Sequence, residues 1–248
     1  MSLLLNRLIR ALELIRVKGV SKYFLKSKVF SISSTKLVES IAKYTPDFNS
    51  ILDIGANHGQ FLFAARTRFP NAVIHSFEPL PELFDNLQKK TAGLEGIYIN
   101  NTALSNVEEE IAFYESEYSH ISSALKVSDN NTNPKYKESK TKEIKVACTT
   151  LNTYVGSISL KRPTLLKIDA QGLEKTILEG ANKVLGKIDY IVLELAFEKL
   201  YDSQPIFEEI HDLLSKQGFA LVAPMDFHTG SDNKIIEMDA LYKRITHG

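Results

Sequence analysis

The sequence predicts an α/β fold in which a mostly parallel sheet of seven strands carries helices on both faces. From about residue 35, strand-like and helix-like segments alternate, which is the order that gives a parallel sheet with covering helices. The run 190–195 is almost wholly apolar, as in a strand buried on both faces. With 248 residues and 44% hydrophobic content, the chain can bury the core of one large domain.

The individual elements follow from apolar periodicity and from the residues that end helices. The predicted strands are 50–54, 72–77, 96–103, 165–169, 190–195, 219–222 and 235–242. Helices are predicted through 61–69, through 83–87, around 177–178 and over 205–218. Pro70 ends the first of these helices, and Gly218 closes the last.

The N-terminal segment 1–34 differs from the predicted domain, 35–248. Apolar residues recur there at helical spacing, at Leu5, Leu8, Leu12 and Ile15. The first thirty residues hold seven basic residues against one acid. The segment is therefore interpreted as a basic amphipathic helix that packs on the domain or forms a homo-oligomer contact. Contact of residues 1–30 with a membrane surface is the less favoured alternative.

A second unusual segment, 116–145, interrupts the alternation of strands and helices. It is rich in Ser, Asn and Lys and is much longer than the usual βα loop. Long excursions of this kind are typically lids or disordered segments. We therefore expect a polar insertion in the domain that acts as a lid.

Composition restricts the classes of partner and the cellular compartment. The formal net charge is zero, so no bulk attraction to nucleic acid is expected. The single cysteine, Cys148, excludes an intrachain disulfide and a cysteine-rich zinc site, and its apolar neighbours indicate a packed side chain. No run approaches the length of a membrane helix, and no signal-peptide core is present. A cytoplasmic location is the resulting expectation.

The loop from Asp53 to Gly59 is the strongest local signal of function. It follows the first strand, and Glu78 ends the second strand nineteen residues after Gly59. Glycines let such a turn bring backbone amides close to a ligand, and a carboxylate at the second strand can accept both hydroxyls of a ribose. The alternative is an ordinary βα turn that happens to contain glycine. The pairing of loop and carboxylate favours a nucleoside cofactor.

The spacing of the glycines indicates which nucleoside binds. A pyrophosphate requires G-x-G-x-x-G, whereas this loop has D-x-G-x-x-x-G. Asp53 places a negative charge beside the ligand, which would repel phosphates and favour a cation. S-adenosylmethionine carries both a sulfonium and an amino group. A nicotinamide-dependent sugar oxidoreductase is therefore the weaker alternative.

Two further carboxylates, Asp169 and Glu194, end predicted strands. Ligands of open parallel sheets bind at the carboxyl ends of the strands, so both residues are expected at the ligand site. The alternative is that they cap the following helices. His58, His120 and His228 lie in loops that could reach the same crevice, but solitary loop histidines are usually solvated.

The sequence contains five further-reaching motifs, which are DIGANHG at 53–59, FEP at 77–79, NTALS at 101–105, TL at 150–151 and KIDAQGLE at 167–174. Together they resemble the FkbM family of S-adenosylmethionine-dependent methyltransferases. The likeness continues through 191–195, 218–219 and 239–242. It covers about residues 35–243 and leaves the N-terminal segment outside. KIDAQGLE discriminates most, because the glycine loop alone occurs across many methyltransferases.

The resemblance implies the Rossmann-like class I methyltransferase fold and O-methylation of a hydroxyl on a sugar, glycan or secondary metabolite. The candidate cofactor-binding residues are Asp53, Gly55, Ala56, Asn57, Gly59, Phe61, Glu78, Pro79, Asn101, Ala103 and Asp169. Asp169 and Glu194 are the catalytic candidates. Asp169 would act as base or orienting group, or the two would hold a Mg²⁺ ion that acidifies the hydroxyl. The alternative from another class is a non-catalytic nucleoside-binding scaffold.

Overall fold

A computed structural model describes residues 29, 31–45, 47–129, 131, 133–230 and 233–245, with residues 134 and 135 described by their backbone alone. The basic N-terminal segment lies almost entirely outside the described residues. Its predicted helix and its packing, oligomer or membrane contacts therefore stay predictions.

The described residues contain ten strands, which form two sheets. They are β1 Ser50–Ile54, β2 Val73–Phe77, β3 Ile97–Asn100, β4 Ala103–Ser105, β5 Glu110–Ser116, β6 Thr141–Thr150, β7 Thr164–Ile168, β8 Tyr190–Ala196, β9 Phe219–Thr229 and β10 Ile235–Arg244. The main sheet has the order β3-β2-β1-β7-β8-β10-β9. The first five strands in that order run parallel, and β10 runs antiparallel to both of its neighbours. The predicted mostly parallel, seven-stranded sheet is confirmed.

Seven α-helices are described. They are α1 Ile32–Ile41, α2 Gln60–Arg68, α3 Pro81–Thr91, α4 Pro134–Glu138, α5 Leu151–Gly156, α6 Glu174–Glu179 and α7 Phe207–Lys216. Successive residues of a strand point to opposite faces of its sheet, and β1 shows the result. Leu52 packs in a core with Ile177 of α6, whereas Ile51 packs in a second core with Leu62 of α2. Helices therefore cover both faces, as predicted.

The predicted third strand, 96–103, is corrected by the structure. Only Ile97–Asn100 pairs in the main sheet. Ala103–Ser105 belongs to a second sheet of order β4-β6-β5. At residues 101 and 102 the chain leaves the main sheet and enters the second sheet. The sequence shows one continuous run of strand-forming residues there, so it does not reveal the division.

The predicted excursion 116–145 is likewise too long. Ser116 ends β5, and 141–145 begin β6, which pairs antiparallel with β5. Residues of β6 alternate between exposed and buried: Lys145 is exposed, whereas Val146 and Cys148 are buried. Because one face of β6 is exposed to solvent, the first half of the strand is rich in polar residues and resembles a loop in the sequence. Cys148 is packed as expected, and burial raises the pKa of its thiol to about 11.

The residues between β5 and β6 contain a short 3₁₀ turn, Ser119–Ile121, and α4. The turn reaches the loop after β1, because Ser119 Oγ donates to Asn57 Oδ1 at 3.0 Å. On its other side, Tyr201 Oη donates to the carbonyl of Ile121 at 3.1 Å. The segment thus contacts both halves of the sheet, and its role as a mobile lid stays a prediction. No helix within the described ranges is long and apolar enough to cross a membrane.

Candidate active site at the carboxyl ends of the strands

A cavity of about 680 Å³ opens where the parallel strands end. Gly55, Glu78 and Asp169 line it after β1, β2 and β7, and Glu194 lines it from within β8. Glu237, on β10, extends the lining toward the edge of the sheet. The topology therefore brings together the three acidic strand ends identified in the sequence, although they lie far apart along the chain.

The loop after β1 is shaped by a close approach between two strand ends. Gly55 has φ +75°, and a Cβ at this position would lie 1.8 Å from the backbone oxygen of Asp169. Only glycine fits such a contact at positive φ. Gly59 has φ +89°, and its Cβ would meet the Leu87 side chain at 2.7 Å. Both glycines of the motif are thus required by the path of the backbone.

Glu78 is almost fully buried at the end of β2, and its carboxylate faces the cavity. Its Oε2 accepts from the Asn57 amide at 2.7 Å, and its Oε1 accepts from the Leu80 amide at 3.0 Å. Burial raises the pKa of Glu78 to about 7, against the opposing effect of these two amides. Each oxygen keeps a further lone pair that can accept a ligand hydroxyl.

The remaining loop residues support this arrangement. Asn101 holds the backbone after β2, because its Nδ2 donates to the carbonyls of Glu78 and Pro79, both at 3.0 Å. Ala103 and Phe61 line the cavity. The structure thus brings these predicted cofactor residues to one place, with Asn101 acting through the backbone.

Asp53 differs from its expected position. It has no exposed surface, and its Oδ1 lies 3.4 Å from Lys167 Nζ, while Ser76 Oγ donates to its Oδ2 at 3.1 Å. Burial raises the pKa of Asp53, against the charge of Lys167. Asp53 therefore lies beneath the cavity surface, where Lys167 balances its charge, and it does not contact the cavity directly. Asp53 lies on β1 directly beside Lys167 of β7, and its carboxylate is held by Lys167 and Ser76.

Lys167 was not singled out from the sequence, although it lies in the most discriminating motif. Its ammonium donates to the carbonyls of Ile54 at 3.1 Å and Gly55 at 2.9 Å, and lies 3.5 Å from Asp169 Oδ2. Burial alone would lower the pKa of Lys167, but the charges of Asp169 and Asp53 raise it. Lys167 is the strand neighbour of Asp53, so the pairing of the two strands is the signal that could have identified it.

Asp169 and Glu194 are held by one amide side chain. Gln171 Nε2 donates to Asp169 Oδ1 at 3.0 Å and to Glu194 Oε2 at 3.1 Å. Gln171 is itself fixed, because Tyr201 Oη donates to its Oε1 at 2.9 Å. Burial, followed by the charge of Asp169, raises the pKa of Glu194 well above its usual value. The two carboxylates thus face the cavity in a fixed relation.

Two carboxylates on β10 also line the cavity and were missed by sequence reasoning. Burial, followed by the charge of Asp169, raises the pKa values of both Glu237 and Asp239 to about 7. Asp239 is the strand neighbour of Glu194. Asp239 lies in the family-like segment 239–242, but the likeness gave it no role, and Glu237 lies outside the matching segments. The pairing of β8 with β10 brings both residues to the site.

The histidines divide into two groups. His120 and His228 line the cavity, and His58 Nε2 lies 3.3 Å from Ser119 Oγ beside it. His75 and His211 pack elsewhere, each with a ring nitrogen near a tyrosine hydroxyl, at 2.8 Å from Tyr154 and 3.0 Å from Tyr242 respectively.

Comparison with known proteins places this geometry in a family. The Methyltransferase FkbM domain matches residues 53–221, which is more than half of the chain. The chain belongs to the FkbM methyltransferase family. The resemblance seen in the sequence motifs is therefore confirmed.

Curated relatives include further methyltransferases. "Methyltransferase 1" of Beauveria bassiana is 28% identical over 189 residues, covering 71% of this chain and 74% of the relative. "2-O-methyltransferase NoeI" of Sinorhizobium fredii is 27% identical over 179 residues, covering 70% of this chain and 73% of the relative. "Hexuronic acid methyltransferase AglP" of Haloferax volcanii is 24% identical over 144 residues, covering 58% of this chain and 54% of the relative.

Among solved structures, the magnesium protoporphyrin IX methyltransferase of Synechocystis with bound SAM aligns with 86% of this chain and 79% of its own. The TM-score is 0.48 and the identity is 10%, so the fold assignment rests on the strand order and the family match. As an FkbM member, the protein is an S-adenosylmethionine-dependent methyltransferase. The scaffold and nicotinamide alternatives are not favoured.

Proposed function

We propose that this methyltransferase acts on a hydroxyl, carried by a sugar, a glycan or a secondary metabolite. Two relatives support this acceptor class by their names, a 2-O-methyltransferase and a hexuronic acid methyltransferase. The cavity supports it by its lining, because carboxylates are acceptors that can hold and deprotonate hydroxyl groups.

The cofactor would lie at the β1 and β2 end of the cavity. Gly55 and Asn57 of the loop line the cavity there, and Glu78 would accept the ribose hydroxyls. The buried carboxylate of Glu78 suits this cofactor, because it faces the cavity and each of its oxygens keeps a lone pair that accepts no hydrogen bond from the protein. When bound, S-adenosylmethionine supplies an electrophilic methyl group.

The acceptor would lie beside Asp169 and Glu194. In-line transfer requires the acceptor oxygen at about 3 to 3.5 Å from the methyl carbon. Glu194, which Gln171 holds beside Asp169, would help to orient the acceptor hydroxyl, whereas Asp169 would take the hydroxyl proton as the oxygen attacks. Lys167, at 3.5 Å from Asp169 Oδ2, compensates the charge of that carboxylate.

One observation carries this assignment: the Gln171 amide holds both carboxylates at once. A pair fixed in this way is oriented before the acceptor arrives, so it loses little conformational freedom on binding. If Asp169 and Glu194 only capped helices, they would not need to accept hydrogen bonds from one common amide that faces the cavity.

The test combines product analysis with one isosteric variant. The protein is incubated with methyl-labelled cofactor and a panel of sugars, glycans and metabolites that carry hydroxyls or amines, and the labelled atom is located by NMR. We expect methyl ethers. Asp169→Asn should lower turnover by about a hundredfold or more with little change in cofactor affinity, because it removes the proton acceptor and keeps the shape.

The exposed Asp202→Asn is the matched control and should keep full turnover. Label found only on nitrogen would contradict the proposed acceptor class. Near-normal turnover in Asp169→Asn would remove Asp169 from the chemistry.

A further inference from the structure

We propose that Glu194, His228 and Glu237 form a binding site for a divalent metal ion at the acceptor end of the cavity. One possible ligand atom from each residue lies within 4.8 Å of the other two. All three residues line the cavity. Two carboxylate oxygens and one imidazole nitrogen are a donor set that divalent first-row ions accept.

The sheet fixes the backbone positions of the three residues. His228 of β9 is the direct strand neighbour of Glu237 of β10. Glu237 pairs on its other side with Ala196, two residues beyond Glu194 on β8. Side chains two residues apart on a strand share a face, so the three groups project from adjacent strands toward the same side. Rotation of the three side chains, with the backbone unchanged, would bring their ligand atoms to one ion.

The second observation is the state of Glu237. It is only 8% exposed, and within the described part of the chain no hydrogen bond reaches its carboxylate. The imidazole Nδ1 of His228 lies 4.0 Å from Oε2, beyond hydrogen-bond distance. A largely buried carboxylate that accepts no hydrogen bond is costly in its charged form unless a ligand compensates it.

The surrounding charges act in the same direction. Asp169 and Asp239 line the same cavity as Glu194 and Glu237, so four carboxylates are gathered there. Lys167 does not pair with Glu237, because its ammonium is held by two carbonyls and by Asp53 and Asp169. A doubly charged ion would stabilise the ionised forms of both glutamates.

This site differs from the one expected from the sequence, in which Asp169 and Glu194 would hold Mg²⁺. Asp169 is held by Lys167 and Gln171, and it is not among the three converging groups. The imidazole of His228 favours Mn²⁺ or another first-row ion over Mg²⁺, which prefers oxygen ligands and water. Three protein ligands leave coordination positions open toward the cavity.

The role of the ion, in contrast to its binding, rests on the proposed function. An acceptor hydroxyl that occupied an open position would lose its proton more easily, because the ion stabilises the alkoxide. The proton would pass to a neighbouring carboxylate.

The experiment measures binding of Mn²⁺ alone to the full chain after treatment with chelator at pH 7.5, by the loss of the EPR signal of free Mn²⁺. We expect one Mn²⁺ per chain. Glu237→Gln and His228→Asn should each weaken binding at least tenfold, because each removes one of three ligands. Circular dichroism establishes that both variants are folded.

Matched controls come from the same cavity: Glu198→Gln and His120→Asn change other lining residues and should bind Mn²⁺ as the unaltered chain does. Absence of binding at millimolar Mn²⁺ would overturn the site, as would equal binding by all variants. Because no acceptor or cofactor is present, this result is independent of whether a hydroxyl is methylated.

Discussion

The two ends of the cavity are built differently. At the cofactor end, Glu78 accepts from two backbone amides, and Lys167 contacts two carbonyls and two carboxylates. At the acceptor end, burial raises the pKa values of Glu237 and Asp239 to about 7, as it does for Glu78, but no hydrogen bond within the described residues reaches the Glu237 carboxylate. The carboxylate of Glu78 is therefore compensated by backbone amides of the chain, whereas that of Glu237 is not.

The largest expected effect comes from breaking the charge balance beneath the cofactor end. Lys167→Met would leave Asp53, which has no exposed surface, without its counter-charge. Loss of one partner from a buried pair typically costs about 3 to 5 kcal/mol. We expect the free energy of unfolding, measured by urea denaturation, to fall by about that amount.

The matched control is Lys175→Met, which breaks an ion pair of 2.7 Å with Glu209 whose side chains are 39% and 40% exposed. Surface pairs contribute about 0 to 1 kcal/mol, so this change should be small. Equal losses in the two variants would show that the cofactor end does not depend on its buried pair.

A smaller effect is expected from the backbone of the same end. Gly55→Ala introduces a Cβ at positive φ that would lie 1.8 Å from the Asp169 backbone oxygen, so the loop must move. Gly93→Ala has φ +73° and no atom within 4 Å of its Cβ. It isolates the backbone strain, which is about 1 to 2 kcal/mol.

We expect Gly55→Ala to lower the melting temperature more than Gly93→Ala and to abolish binding of S-adenosylhomocysteine in calorimetry. Gly93→Ala should bind it normally. If both variants bind equally well, the approach of the β1 loop to β7 is not needed to shape the site.

The same contrast explains what the sequence could predict. Gly55, Glu78 and the strand that bears Lys167 lie in contiguous motifs, so their chemistry is visible locally. Asp169 and Glu194 could be placed because parallel strands end at one edge. Glu237 could not, because its place at the site depends on the antiparallel pairing of β10 with β8. His228 was expected in a loop that could reach the crevice, but it lies on β9, and the pairing of β9 with β10 sets it beside Glu237.

Two errors had the same origin. The first half of β6 reads as polar because one of its faces is solvated, so 141–145 was assigned to the excursion. Asp53 was expected to face the ligand because the motif shows that it precedes the glycine and does not show which face of β1 it occupies. In both cases the missing information was the pairing and orientation of strands.

Glu78 is the residue proposed to recognise the cofactor, through the two hydroxyls of its ribose. Binding of S-adenosylhomocysteine, measured by calorimetry from pH 5.5 to 8.5, tests it. With a pKa of about 7 in the free protein, Glu78 is increasingly protonated at lower pH and must lose its proton to accept both ribose hydroxyls. Affinity should therefore fall by up to about tenfold per pH unit below 7. Above pH 7 it should be nearly constant.

Glu78→Gln should bind at least tenfold more weakly at pH 8, since hydrogen bonds to a charged group contribute about 1.5 to 3 kcal/mol each, and its affinity should lose most of the pH dependence. Glu82→Gln, an exposed residue on α3, should match the unaltered protein throughout. Unchanged affinity in Glu78→Gln, or an undiminished pH profile, would contradict the assignment of this end of the cavity to the cofactor.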